Sequence, residues 1–80
     1  MTLEGRDYAL TMGSDVARDG MFLELDDVTG GQRVNVGEWF YSDVNASLTF
    51  TAFRCDVPAA VLDWFRAEAA RRLPPRTGER

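Results

Sequence analysis

Residues 21–27 read MFLELDD, and every second position is apolar: Met21, Leu23 and Leu25 share one face, Phe22, Glu24 and Asp26 the other. A two-residue period of this kind predicts a strand with one buried face and one face left to water or to a partner. The stretch before it reads the same way. From about Asp7 to Ala17, the residues Tyr8, Leu10, Met12 and Val16 share a face, and Asp19-Gly20 predicts a two-residue hairpin because both tolerate positive φ. Thr29-Gly30-Gly31 predicts the next turn. Pairing Asp27 with Gln32 then sets Leu25 against Val34, Leu23 against Val36, Asp26 against Arg33 and Glu24 against Asn35. Apolar meets apolar and polar meets polar, which favours that register.

The third strand changes phase. Val34 and Val36 point inward, yet a hairpin turning at Asp43-Val44-Asn45-Ala46 pairs Tyr41 with Leu48 and Trp39 with Phe50, so the inward residues become odd-numbered. One extra residue at Gly37-Glu38 accounts for the switch, and a β-bulge is predicted there. In the fourth strand, SLTFTAFR, Leu48, Phe50 and Ala52 point inward and Thr49, Thr51 and Phe53 outward.

After it the period lengthens. In DVPAAVLDWFRAEAARRL the residues Val57, Val61, Leu62, Phe65, Ala69 and Leu73 fall on one helical stripe, with Trp64 at its rim. Asp56 is placed to cap the helix, Pro58 to sit in its first turn, Glu68 to pair with Arg72, and Pro74-Pro75 to end it. The expected fold is therefore α+β: a four-stranded antiparallel β-meander with one C-terminal helix packed on one face, in the order ββββα. Residues 6–73 make the single domain, residues 1–5 a frayed N-terminus and residues 74–80 a flexible C-terminal tail.

One helix covers one side of such a sheet. The other side carries Phe22, Glu24, Asp26, Arg33, Asn35, Phe40, Thr49, Thr51 and Phe53. Three phenylalanines among acids and hydroxyls make this face a candidate interface. The competing reading is that the rings stack on one another or lie under the loop after the first strand.

Charge sharpens the picture. The 80 residues carry a net charge of −4, with neither histidine nor lysine. Residues 1–56 hold ten acids and four arginines, a balance of −6, whereas residues 57–80 hold three acids and five arginines, a balance of +2. An acidic sheet is a poor ligand for phosphates, so nucleic acid is not expected as a direct partner. No apolar run is long enough for a bilayer, and MTLEGRDYAL lacks the basic-then-apolar order of a secretory leader. Cys55 is the lone cysteine, so it is expected as a small half-buried residue in a cytoplasmic protein.

Chemistry finds few footholds. Asp26 and Asp27 are strand neighbours and point to opposite faces, so they cannot share a proton. Glu24 and Asp26 share a face about 6.6 Å apart along the strand, but a small meander offers no cleft between them. DDVTGG lacks calcium-loop spacing, zinc would need Cys and His clusters, and Gly30-Gly31 sits beside acids that repel phosphate. The serines have no histidine or lysine to activate them. No enzyme, cofactor or metal is expected. The partner-binding residues expected are Phe22, Glu24, Asp26, Asp27, Glu38, Phe40, Asp43 and Phe53. Carboxylates at alternate strand positions, with Asp27, Glu38 and Asp43 near, are spaced comparably to successive phosphates, which suits a protein partner with a basic nucleic-acid-binding surface.

From GRDYALTM through GMFLELDDVTGG and GEWFYSDVNASLTFTAF to the closing helix, the chain resembles the small phage-encoded anti-CRISPR proteins, particularly those directed against type I Cascade complexes. The likeness lies in size, acidity, lack of histidine and the sheet-plus-helix layout. It implies a non-catalytic inhibitor, acting in the cytoplasm of a host bacterial cell, that blocks DNA recruitment by binding a Cascade subunit. Arg71, Arg72, Arg76 and Arg80 are the part that DNA mimicry does not use. The alternative is an immunity-type or housekeeping interaction module, a monomer or a homodimer through the Phe22/Phe40/Phe53 face; the run FYSD, TFTAF, VPAAVLDWF and RRLPP is similar to small uncharacterised bacterial proteins.

Overall fold

Alternation along the chain becomes a single antiparallel sheet in the computed structural model, which describes residues 1–73. The strands are β1 (Thr2–Leu3), β2 (Arg6–Asp15), β3 (Gly20–Asp27), β4 (Val34–Ser42) and β5 (Ser47–Ala52), in spatial order β1-β2-β3-β4-β5, followed by helix α1 (Ala59–Arg72). The class is α+β as expected, with five strands rather than four. The additional one comes from the segment expected to fray. Glu4 and Gly5 take positive φ (53° and 76°), which folds Thr2 and Leu3 back onto Asp7 and Arg6. The Met1 ammonium donates to the Tyr8 carbonyl at 3.0 Å, and the Tyr8 N–H donates to the Met1 carbonyl at 2.8 Å. The tail expected to be flexible, residues 74–80, and the proline stop lie outside the described residues.

Two turns depart from expectation. Between β2 and β3 the connection is the four residues Val16–Asp19, with Asp15 paired to Gly20, not a two-residue hairpin at Asp19-Gly20. The Asp15 carboxylate accepts the Arg18 N–H, and Asp19 takes the positive φ of 53°. Val16 consequently sits in the turn, 86% exposed, and not on the inward face. Between β3 and β4, Thr29–Gly31 form one 3-10 turn, and Asp27 pairs with Val34 instead of Gln32. The expected bulge exists one residue earlier. Val36 is the extra residue, between the pairs Asp26–Asn35 and Leu25–Gly37. It lets Val36 stay buried while Trp39 and Tyr41 come into phase with Phe50 and Leu48 as expected.

The core lies between one sheet face and α1. Leu23, Leu25, Val36 and Tyr8 come from the sheet, and Val61, Phe65, Ala69 and Leu73 from the helical stripe. Burying each Leu, Val or Phe stabilises the fold by about 1.5–3 kcal/mol relative to leaving it in water. Trp64 packs at the rim, as expected, and Val57, expected on the stripe, precedes α1 and is only partly buried against the core. Phe50 links the sheet to the helix, 5.0 Å from Trp39 and 6.2 Å from Phe65 between ring centroids. Pro58 occupies the N-cap, so Asp56 does not cap α1; its carboxylate pairs with Arg54 instead. Glu68 accepts from both Arg72, as expected, and Arg71. Cys55 is exposed, not half-buried, because the chain leaves the sheet at Phe53.

Candidate protein-binding face

Strand pairing sets the residues of the uncovered face into rows. One row runs Thr11–Glu24–Glu38–Thr51 across four strands, the next Gly13–Phe22–Phe40–Thr49, and Asp26 lies beside Ala9 and Asn35. The Asp43 N–H donates to the Asp19 carbonyl, which makes Gly20–Ser42 a non-hydrogen-bonded pair. Counting by two, Glu24–Glu38 is another, the kind in which opposed side chains lie closest. Two carboxylates so placed repel unless something neutralises one of them.

Arg18 does so. From the turn after β2 its guanidinium reaches Glu38 with both terminal nitrogens, Nη1 to Oε1 at 3.1 Å and Nη2 to Oε2 at 2.8 Å, and its Nε donates to Asp15 at 2.5 Å. On the way it lies 4.0 Å above the centre of the Phe40 ring. These bonds hold the Asp15 carboxyl below its usual range. Arg33 donates to Asp26 from the edge of the same face. Asp26 and Glu38, expected as exposed binding acids, are therefore buried and ion-paired. Glu24, between them, is half-buried and has no hydrogen bond or ion pair of its side chain among the described residues.

The aromatic residues are partly spoken for as well. Phe22 lies over Gly13, where a Cβ would come within 2.8 Å of its ring, and Phe40 lies over Gly20, where a Cβ would meet it at 2.5 Å. Both rings are half-buried, and the Arg18 guanidinium, from the β2–β3 turn, lies over Phe40. Phe53, past the end of β5, is 54% exposed.

Asp27 belongs elsewhere. As alternation requires, it faces away from Glu24 and Asp26. Its carboxylate accepts from the Thr29 hydroxyl at 2.6 Å, the Thr29 N–H at 3.0 Å and Arg6 Nε at 2.6 Å. The Thr29 hydroxyl and then Arg6 hold its pKa down to about 2. Asp27 is a fastener of the β3–β4 turn, and it borders a recess of about 190 Å³ with Arg6, Tyr8, Arg54 and Asp56. Burial pushes the Tyr8 hydroxyl pKa up.

Asp43 is exposed in the β4–β5 turn. Its backbone bond to Asp19 ties the two turns at one end of the sheet, where Asp15, Asp19 and Asp43 gather. Arg18, Gly13 and Gly20 are the structural residues of this face that the alternation pattern alone did not single out. The sequence cue nearest to them is the Asp19-Gly20 turn signal, which marks Gly20 as a turn residue but not its contact with Phe40. Among the described residues no group of three or more Asp, Glu, Cys or His side chains is arranged to hold a metal ion, and no helix is long and apolar enough to cross a membrane. Comparison of the chain with protein-family models, with curated proteins and with solved structures gives no match.

Proposed function

We propose that this protein works by binding another protein through the uncovered sheet face and does no chemistry of its own. The observation that carries the reading is Glu24. It stands half-exposed at the centre of a face that α1 leaves open, without a cation of its own among the described residues, between Thr11 on one side and the Arg18-paired Glu38 on the other. With Asp19 and Asp43 at the turn end it supplies negative potential, Phe22 supplies apolar surface beside it, and Phe53 adds an exposed ring past the end of β5. Asp26, Asp27 and Glu38 contribute little of that potential, because Arg33, Arg6 and Arg18 already offset them. A partner with a basic groove fits such a surface, and acidic steering toward it weakens as salt rises.

The finer reading is an inhibitor that keeps a type I Cascade complex from recruiting DNA. It rests on the resemblance and on the acidic balance of residues 1–56. A gel-shift assay of target-DNA recruitment by a purified type I Cascade complex tests it. The protein should abolish recruitment, and the triple substitution Asp19→Asn, Glu24→Gln, Asp43→Asn should relieve the block. Unchanged recruitment at saturating protein would discard the CRISPR reading. A block that the triple substitution leaves intact would discard the acidic contact.

A further inference from the structure

Strand β5 has one hydrogen-bonded neighbour, β4, and its other edge is open among the described residues. Five of its six residues are exposed. The Phe53 N–H donates to the Val36 carbonyl, which makes Ala52–Gly37 a non-hydrogen-bonded pair. Alternation then turns the N–H and C=O groups of Thr51, Thr49 and Ser47 toward β4, and those of Leu48, Phe50 and Ala52 outward. Proteins usually guard such an edge with a charge, a proline or a bulge. Ser47–Ala52 reads SLTFTA and has none of these.

We propose that β5 pairs antiparallel with β5 of a second copy, about a two-fold axis normal to the sheet at Thr49. This symmetry keeps each face on its own side, so residues meet only partners of their own parity. Leu48 meets Phe50 of the second copy, and Phe50 meets Leu48, on the helix side, where both are exposed in the single chain (38% and 36%). On the open face Ser47 meets Thr51, and Thr49 meets its own equivalent. Every meeting is apolar with apolar or hydroxyl with hydroxyl.

Charge favours the same occupant. The strand itself carries no charged residue, so two copies of a −4 chain can approach there without like charges facing each other. The connection from β5 to α1 does not block the edge. It crosses inward, where Arg54, Asp56 and Val57 line the recess beside Arg6 and Tyr8. The pairing does not depend on the proposed function, and it sets both open faces side by side on one continuous sheet. A single short strand pair buries less than the roughly 1,200 Å² of a standard interface, so the dimer is weak and concentration-dependent.

Sedimentation equilibrium tests the proposal on a Cys55→Ser background. The mass should rise from 9.0 kDa toward twice that value as protein approaches about 1 mM. Thr49→Lys and Thr49→Glu should each stay monomeric, because like charges then face each other on the axis, and mixing the two should restore the dimer. Thr49→Cys should cross-link under mild oxidation, since a non-hydrogen-bonded pair holds its Cα atoms about 4.5 Å apart, within disulfide reach. Constant mass over the whole range overturns the proposal. So does a dimer that survives both charged variants, or one that persists while Thr49→Cys fails to cross-link. Should circular dichroism find the charged variants unfolded, the cysteine variant alone decides.

Discussion

Arg18 grips Glu38 with a two-pronged contact, at 3.1 and 2.8 Å, across the turn that joins β2 to β3. Through it a turn residue neutralises a buried acid that faces another acid, Glu24, on the next strand. The pair explains how an acidic sheet face can be stable on its own.

Removing Arg18 should therefore cost more than an ordinary exposed arginine would. Arg18→Ala leaves Glu38 buried beside Glu24, and the expected loss is about 1–3 kcal/mol in urea unfolding. Glu38→Gln in the same chain should recover much of it, because the repulsion goes with the charge. Equal losses for the single and double variants would show that Arg18 acts only by packing on Phe40.

Gly20 is a close-approach position. A Cβ there would lie 2.0 Å from the Tyr41 carbonyl oxygen and 2.5 Å from the Phe40 ring. Backbone cannot yield cheaply, so Gly20→Ala should destabilise by about 2–4 kcal/mol. Gly13→Ala meets only the far end of the Phe22 ring, at 2.8 Å, and should cost about 1 kcal/mol. Thermal melts of the two variants check the order.

Acid should loosen the β3–β4 turn. The Asp27 carboxyl titrates at about 2 in the folded chain against an ordinary value of 3.8, so it is lowered on folding. Its contribution is present in full above the ordinary value and is lost as pH falls through about 2. The stability gap between wild type and Asp27→Asn should thus be constant at neutral pH and narrow below about pH 4. Thr29→Val, which removes the largest cause of the shift, should raise the Asp27 titration midpoint read by carbonyl NMR.

Phe65 has no exposed surface and meets Phe50 across the helix–sheet interface. Phe65→Ala should cost about 3–5 kcal/mol, a large part of what a domain this small has. Loss of the near-ultraviolet dichroism of Trp39 at ambient temperature is the expected readout.

Much of this fold could be read from alternation. The partners Trp39–Phe50 and Tyr41–Leu48, the four-residue turn between them and the helical stripe all follow from local spacing. The β3–β4 register did not, because Asp27, Thr29 and Arg6 together build a wider turn than Gly30-Gly31 alone suggests. β1 was hidden because two residues show no period; only the positive φ at Glu4 and Gly5 turns them back. The candidate face was half legible. Alternation puts Glu24, Asp26, Phe22 and Phe40 on one side, but the expected bulge left Glu38 without a face, and the arginines that neutralise Asp26 and Glu38 reach them through space. The register read from alternation sets Arg33 opposite Asp26, whereas in the sheet Asn35 takes that place and Arg33 reaches Asp26 from the edge. Arg18 carried no sequence signal beyond its position in a turn.

Thr11 and Met12 are neighbours in β2 that point to opposite faces, and both are exposed. They permit the most direct test of the proposed binding face. On a Cys55→Ser background, Thr11→Cys and Met12→Cys are each alkylated with a bulky maleimide, and inhibition of DNA recruitment by a type I Cascade complex is measured. A label at position 11, beside Glu24, should abolish inhibition, while a label at position 12 should leave it unchanged. Inhibition that survives the label at 11 and is lost with the label at 12 would contradict the account.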